Sequence, residues 1–539
     1  MECVIPASEL STSKPAQWTR WAPWVILAIA AFFRIFWLDI KPAHFDEGIN
    51  GWFVDRMIEH GYYQYDPTNY HGPLHFYVLL IFQSIFGRNL WALRMPVVLA
   101  GLATVWMAWN FRRFLGDRAA AIAALGLALS PGYVFYERYS IHETWLVLFL
   151  MMAVWGIFGL CDKGDRISLA ATVGGITGMV LTKETYIIHL LSMVLAFGCL
   201  KVWERFIAAS EPPLRFASQT WSRTDLVKTL TACGFLVVFF YSGNFFYWEG
   251  LTGIVTTFFT WAQTGMEASG HEKTAYDLVP FAFDLPLGKD PIHVRGALFN
   301  YYWLALCWRY EPLALVGVVA SIRVLWRTDW KWRWLSIFGL GVLVAYSIIK
   351  YKTPWCVISI IWPFYLLAGV LIDEMLRLRA PFKIATITLA VAALGYATWR
   401  AVDVNFRKFD DDSEPYVYVQ TFRDVAKLLD PINHLVRREP GRLDLRGEFN
   451  LPSYYPLPWI FEEFPNIGYP KAEDVGVFKE PVDLDFIVVE NGHSANVEAK
   501  LQGHYYRVPF RLRSGMSPCV VYFKASLFGP EFKNRQPDL

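Results

Sequence analysis

Asp46 and Glu47 form an adjacent acid pair in HFDEGINGWFVDRMIEHGYYQYDPTNYHGPLHFYVLL, just after an apolar run that ends at Leu38. A carboxylate there could take a proton from an attacking hydroxyl lying within hydrogen-bond reach. It could equally be a solvated cap on a helix end. The neighbouring charges weigh against the cap. Arg94 lies a few residues into a later apolar run, Glu137–Arg138 and His142–Glu143 flank one polar break, and Lys183–Glu184 occupies another. A charge facing lipid at mid-helix costs about 3 kcal/mol on insertion scales. Snorkelling rescues such residues singly, but several on one side point to a polar cavity holding an anion. Arg94, Arg138 and Lys183 are nominated to hold it, followed by Lys350 and Lys352 of KYKTPW and then His71. Asp46 is the candidate base. Glu47 would orient an acceptor or pair with a cation, and Tyr70, Glu143 and Glu184 would line the acceptor side or stand behind it. His71 and His75 are spaced to share a helical face, with His44 near in sequence, and two histidines plus an acid can hold a metal. Interfacial histidines bonded to headgroups or to each other is the reading favoured, so no metal is expected.

The elements that must position these residues follow from composition. The chain has 539 residues, 55% hydrophobic and only 18% charged, well below the charge content of soluble domains. Apolar runs repeat from Trp21 to Arg400, whereas from Asp403 to Leu539 charges return to ordinary density. A polytopic helical membrane part is therefore expected over 1–402 and a soluble α/β domain over 403–539. About eleven runs approach the length of a span, from Trp21–Leu38 to Ile384–Trp399; they include Ala119–Tyr136. The first is read as a retained helix and not as a cleaved signal. Net charge of +2 excludes a nucleic-acid partner. Seven scattered cysteines without a C-x-x-C pair exclude a disulfide framework or zinc knuckle.

Pro73–Phe86 is apolar but short. Reading it as interfacial puts Arg112, Arg113, Arg118, Lys163, Arg166, Lys201 and Arg205 on one side, which should be cytoplasmic. The first outer loop (39–90), the long loop (244–296) and the C-terminal domain then face the exoplasm, and the N-terminus the cytoplasm. The aromatic start of the long loop has helical spacing and is expected to lie along the interface. In the tail, Asp410–Asp412 and Glu414 read as a solvated spacer, YVYVQTFRDVAKLL as strand then helix, and DFIVVEN and CVVYFKA as buried strands. No nucleophile elbow or glycine-rich phosphate loop occurs there. Acceptor recognition, partner binding or a structural lid are the roles open to it.

These motifs, in this order, resemble those of GT-C membrane glycosyltransferases that use polyprenyl-phosphate sugars, above all the protein O-mannosyltransferases and lipid A aminoarabinose transferases. The Asp46–Glu47 pair is similar to their acid pair after the first span. YHGPL (Tyr70–Leu74) is similar to the Pro-Pro-Leu element that opens an interfacial helix, LWALRMPVVLAGL to the Arg-led second span, LTKE to the Lys after the fifth, and KYKTPW to a Lys-rich late turn. YPLPW (Tyr455–Trp459) resembles the soluble-domain signature of flippase-activity-associated proteins, the nearest family overall. One departure is plain: the aminoarabinose transferases carry an acid and a Lys before Pro-Pro, whereas here Tyr70 and His71 precede Gly72–Pro73.

The resemblance implies a GT-C-like fold and a hexosyl or pentosyl transferase with a lipid-phosphate sugar donor. It also implies Asp46 as base in a single inverting displacement, and membership of a branch that generally uses no divalent cation. The alternatives are a flippase or flippase-associated protein for lipid-linked sugars, or a non-catalytic glycolipid-binding subunit. Transporters often carry internal repeats. None is visible, and the polar residues gather on one face, which favours the enzyme. Sugar, acceptor and oligomeric state are left open.

Overall fold

The polar breaks punctuate a helical bundle. The computed structural model describes residues 17–207, 218–266, 302–326, 329–349, 352–478, 481–533 and 535–539. The bundle begins with α1 (Ala22–Ile35), α2 (Phe45–His60), α3 (Leu74–Phe86) and α4 (Leu90–Asn110). It continues through α5 (Asp117–Leu129), α6 (Pro131–Tyr136), α7 (Glu143–Asp162), α8 (Arg166–Val180), α9 (Tyr186–Phe206) and α10 (Arg223–Tyr241). It closes with α11 (Glu249–Met266), α12 (Pro312–Val324), α13 (Trp330–Ile348), α14 (Val357–Met375) and α15 (Ala380–Val402).

Among the described residues, six helical stretches are long and apolar enough to cross a bilayer, and four shorter apolar helices, α1, α3, α8 and α12, accompany them. The protein is thus a multi-pass membrane protein. The expectation of about eleven spans counts several of the shorter helices, and α13, as crossings. One expected run, Ala119–Tyr136, is two helices. Pro131 cannot continue the hydrogen-bond ladder, and the Tyr133 amide donates to Ser130 Oγ at 3.3 Å, so α6 starts afresh. Residues 267–296 of the long loop lie outside the described residues; its aromatic start is helical, as α11.

The small C-terminal domain is built on a five-stranded mixed sheet. Its strands are β1 (Gly447–Asn450), β2 (Ile467–Gly468), β3 (Phe486–Glu490), β4 (Tyr505–Phe510) and β5 (Cys519–Lys524), in the order β2-β1-β3-β5-β4. β1 runs parallel to β2 and β3, and β5 antiparallel to β3 and β4. The helix α16 (Ala426–Arg438) buries Leu428, Ile432 and Leu435, spaced for one helical face, in the core behind the sheet.

Two expectations for the tail are corrected. YVYVQT is not a strand: Tyr416, Val417 and Tyr418 are buried in succession, and Val419 has φ +45°. A strand shows alternate residues to opposite faces, whereas this segment is enclosed on all sides, with Tyr416 stacked on Tyr310 at 4.0 Å. The acidic stretch is solvated only in part, with Asp412 exposed and Glu414 not. Glu414 is fully buried and accepts from Tyr310 Oη (2.5 Å), Arg400 Nη2 (2.7 Å), Arg309 Nη2 (3.0 Å) and Lys408 Nζ (3.1 Å).

YPLPW clasps this domain to the bundle. A Cβ at Gly48 would collide with Pro456 and one at Gly51 with the Trp459 ring, so two glycines one turn apart on α2 let the motif lie against the helix backbone. Arg88 locks it from the other side, over the Trp459 ring at 4.8 Å, donating to the Trp459 carbonyl and to Asp55. Arg56 adds a pair with Glu462 at 2.9 Å.

Candidate active site

The acid pair opens α2, and the helix cap sends its two members in opposite directions. Asp46 N–H donates to His44 Nδ1 (3.1 Å), and His44 N–H donates to Glu47 Oε2 (2.9 Å), a reciprocal cap at the helix start. Because Nδ1 accepts, the proton of His44 sits on Nε2, which donates to the Tyr418 carbonyl at 2.9 Å. His44 is thus neutral, and burial lowers its pKa further.

Glu47 turns inward and is fully buried. It takes two N–H groups of Arg94 at 2.7 and 2.8 Å and the Ser140 amide at 3.0 Å. Burial pushes its carboxyl up, but Arg94 and the backbone donors outweigh that and hold it below the usual range. The remaining N–H groups of Arg94 go to the carbonyls of Leu38, Lys41 and Pro42. Assigning Glu47 to the acceptor and Arg94 to a phosphate is therefore corrected: every polar group of both is engaged inside the protein, and the alternative pairing of Glu47 with a cation is the one found.

Arg138 and Lys352 are corrected on a related ground: their terminal nitrogens are taken up by backbone carbonyls. Arg138 donates to the carbonyls of Phe33, Arg34, Phe36 and Trp37 and lies over Phe406, so it caps the end of α1. Lys352 donates to the carbonyls of Tyr346, Ser347 and Ile349 and caps α13. Glu137 is engaged with Arg34 at 2.5 Å. Lys350 lies outside the described residues.

The other nominated residues come together. A cavity of about 470 Å³ is lined by Asp46, Tyr70, His71, Glu143, Lys183 and Glu184. Local structure explains the convergence. The Gly72 and Leu74 amides donate to Thr182 and Leu181, both at 3.0 Å, and a side chain at Gly72 would strike that backbone. This pairing sets His71 against Glu184, with Nδ1 to Oε2 at 2.9 Å. The next residue along, Lys183, pairs with Glu143 at the start of α7. Both partners are buried, and each pairing wins over burial: Glu184 is held below its usual range by His71 and Lys183, and Lys183 well above its own by Glu143.

Asp46 differs. Its side chain is 28% exposed, and the only cationic or potentially cationic nitrogen within 4 Å among the described residues is the neutral His44 Nδ1 at 3.7 Å. Its carboxylate accepts no hydrogen bond from them.

The two histidines nominated as a pair are joined by a third. The ring of His142 lies 4.4 Å from both His71 and His75. His75 accepts from Trp145 at Nδ1 (3.1 Å), so its Nε2–H meets Ser140 Oγ at 2.8 Å. Both of its nitrogens are committed, and no group of three or more His, Cys, Asp or Glu among the described residues is arranged to hold a metal ion.

His142, noted beside Glu143 but given no role, also lines the cavity, and Trp355, Tyr418, Ser453 and Arg513 were not nominated at all. Arg513 is the notable one. It is 6% exposed, stands over Phe45 at 4.4 Å, and donates to the Tyr455 carbonyl at 2.5 Å. Burial lowers its pKa to about 10, with the nearby charge of Asp46 pulling the other way. Nothing in FRLRSG marks it out; the clasp carries it there.

Residues 70–217 match the family model for dolichyl-phosphate-mannose-protein mannosyltransferases. YkcB of Bacillus subtilis (strain 168), whose name marks it as a candidate mannosyltransferase, is 32% identical over 100 residues, or 18% of this chain. That match covers 14% of the relative's length. Two solved proteins share the architecture. The oligosaccharyltransferase of Archaeoglobus fulgidus, tethered to an acceptor peptide, aligns with a TM-score of 0.53 at 12% identity over 92% of this chain and 74% of its own. ArnT of Cupriavidus metallidurans, bound to undecaprenyl phosphate, aligns with a TM-score of 0.53 at 14% identity over 95% and 98%. The chain has the fold of these GT-C membrane enzymes, with a mannosyltransferase-family match across the segment that runs from His71 to Lys183.

Proposed function

We propose that this protein is a glycosyltransferase that moves a sugar from a polyprenyl-phosphate donor to an acceptor hydroxyl, with Asp46 as the general base. One observation carries the reading: among the described residues, Asp46 is the cavity carboxylate without a cation against it, whereas Glu143 and Glu184 each hold one. An unpaired, part-exposed carboxylate is free to accept a proton.

In the reaction, the acceptor oxygen attacks the anomeric carbon as its proton passes to Asp46. The bond from that carbon to the phosphate oxygen breaks, its electron pair leaves with the phosphate, and the sugar inverts. The charge that builds on the phosphate is met by Lys183 and His71. Lys183 gives one N–H to Glu143, and an ammonium has three donors. The undecaprenyl phosphate bound to ArnT supports a donor of this class. The reading assigns no resident metal, because His75, one of the nominated pair, already has both nitrogens in use.

We assign residues 1–402 to the membrane and 403–539 to the exoplasmic side, with a cytoplasmic N-terminus. The basic residues of one set of loops support this. Several of them pair with acids of their own, as in Arg113 with Asp165 and Arg118 with Asp373, away from the cavity.

Asp46→Asn is expected to lower transfer from labelled polyprenyl-phosphate hexose by about a hundredfold or more in a reconstituted assay, with lipid binding retained. Undiminished transfer would refute the base assignment. Lipid translocation by the wild type without any transfer would favour a flippase.

A further inference from the structure

Among the described residues, two Lys or Arg side chains line the cavity, and they come from different parts of the chain. Lys183, from the bundle, is paired with Glu143. Arg513, from the C-terminal domain, has no carboxylate within 4 Å among the described residues. One of its amino groups bonds the Tyr455 carbonyl, and its guanidinium rests over the Phe45 ring. The rest of its planar fork has no hydrogen-bond partner among the described residues, and the residue is 94% removed from solvent in a cavity that Asp46, Glu143 and Glu184 also line. Burying a cation is costly and an anion offsets the cost, and a guanidinium presents two parallel donors that match the oxygens of a phosphate.

We propose that Arg513 binds the phosphate of the lipid-linked donor, so that the C-terminal domain completes the active site. This rests on the glycosyltransferase reading above and adds to it. The donor phosphate begins as a diester with one negative charge and leaves as a monoester with up to two, so the site must meet added charge as the sugar departs. Lys183 and His71 are each already shared with a carboxylate. Arg513 supplies the positive charge that is not. The clasp fixes its position: Tyr455, whose carbonyl Arg513 holds, directly precedes Pro456, which lies on Gly48 two residues from Asp46. The base and the phosphate-binding arginine are thereby set from the two sides of one contact.

Binding of undecaprenyl phosphate, the uncharged alcohol undecaprenol and inorganic phosphate is measured on the full-length protein and on Arg513→Gln, Arg513→Lys and Asp46→Asn. Arg513→Gln, which keeps a polar side chain but removes the guanidinium, should weaken undecaprenyl phosphate by roughly tenfold or more while undecaprenol binds as before. Arg513→Lys should fall between, as a point charge without the fork. Equal weakening of phosphate and alcohol would mean a packing role and overturn the proposal, as would unchanged phosphate binding or a wild type that does not distinguish the two lipids. Inorganic phosphate binding as tightly as the lipid would overturn the lipid-linked source. Asp46→Asn should keep phosphate binding. If it also keeps transfer, the base assignment fails while the arginine assignment is judged by the binding data alone.

Discussion

Two clusters of charge lie on either side of the first turn of α2, and they are built differently. Behind the helix, Glu47 and Arg94 have every hydrogen-bonding group turned on one another and on the backbone, and Arg138 gives its terminal nitrogens to carbonyls at the end of α1 and just beyond it. In front, Asp46 and Arg513 face a cavity with groups to spare, and Lys183 and His71 are each held by a single carboxylate. The sequence makes these residues look alike. What separates a structural charge from a working one is how completely its partners are already supplied, since a saturated guanidinium has nothing to offer a ligand.

The largest test of that contrast is Glu47→Gln. It leaves Arg94 buried beside a neutral group, and breaking a buried pair costs about 3–5 kcal/mol. The variant should lose folded protein in detergent and melt far earlier, whereas Asp46→Asn should melt like the wild type. A stable, inactive Glu47→Gln beside an active Asp46→Asn would exchange the two roles and break the comparison.

Next comes Glu414, a second saturated cluster. Burial pushes its carboxyl up, but the bonds from Tyr310 and the charges of Arg400 and Arg309 outweigh that and hold it at about 2, below the ordinary 4.5. The folded value lies below the unfolded one, so this stabilisation is present above about pH 4.5 and is lost as pH falls towards 2. The difference corresponds to about 3 kcal/mol. Thermal midpoints taken from about pH 6 down to about pH 3 should fall for the wild type and stay flatter for Glu414→Gln. An identical slope in both would remove Glu414 from the saturated class.

The smallest expected effect is on the clasp. Gly51→Leu drives a side chain into Trp459, and overpacking of this kind costs about 1–3 kcal/mol. It should speed proteolytic release of the C-terminal domain and lower transfer without abolishing the fold of the bundle. Unchanged transfer from a protein with a loosened domain would show that the front cluster works without Arg513, and so sharpen which cations belong to it.

Much was legible before any coordinates. The membrane bundle, the C-terminal α/β domain, the helix of RDVAKLL and the strands of DFIVVEN and CVVYFKA stand where the residue patterns put them. Asp46, His71, Glu143, Lys183 and Glu184 were singled out and share one cavity. Arg94, Arg138, Lys352 and Glu47 were read wrongly in part, because a cation near an apolar helix end looks the same whether it caps a helix or awaits a ligand. YVYVQT misled because alternating β-branched and aromatic residues also suit a segment buried on every side.

Partition into a bilayer depends on residue type summed over a short stretch, so the sequence by itself determined the helical membrane architecture and where its polar breaks fall. Which charges are neutralised depends on partners far along the chain: Glu47 finds Arg94, Lys183 finds Glu143, and Arg513 reaches the cavity through a contact between Gly48 and Pro456. Ion pairing is a short-range property of positions in space and not of neighbours in sequence. Only the tertiary structure could decide it.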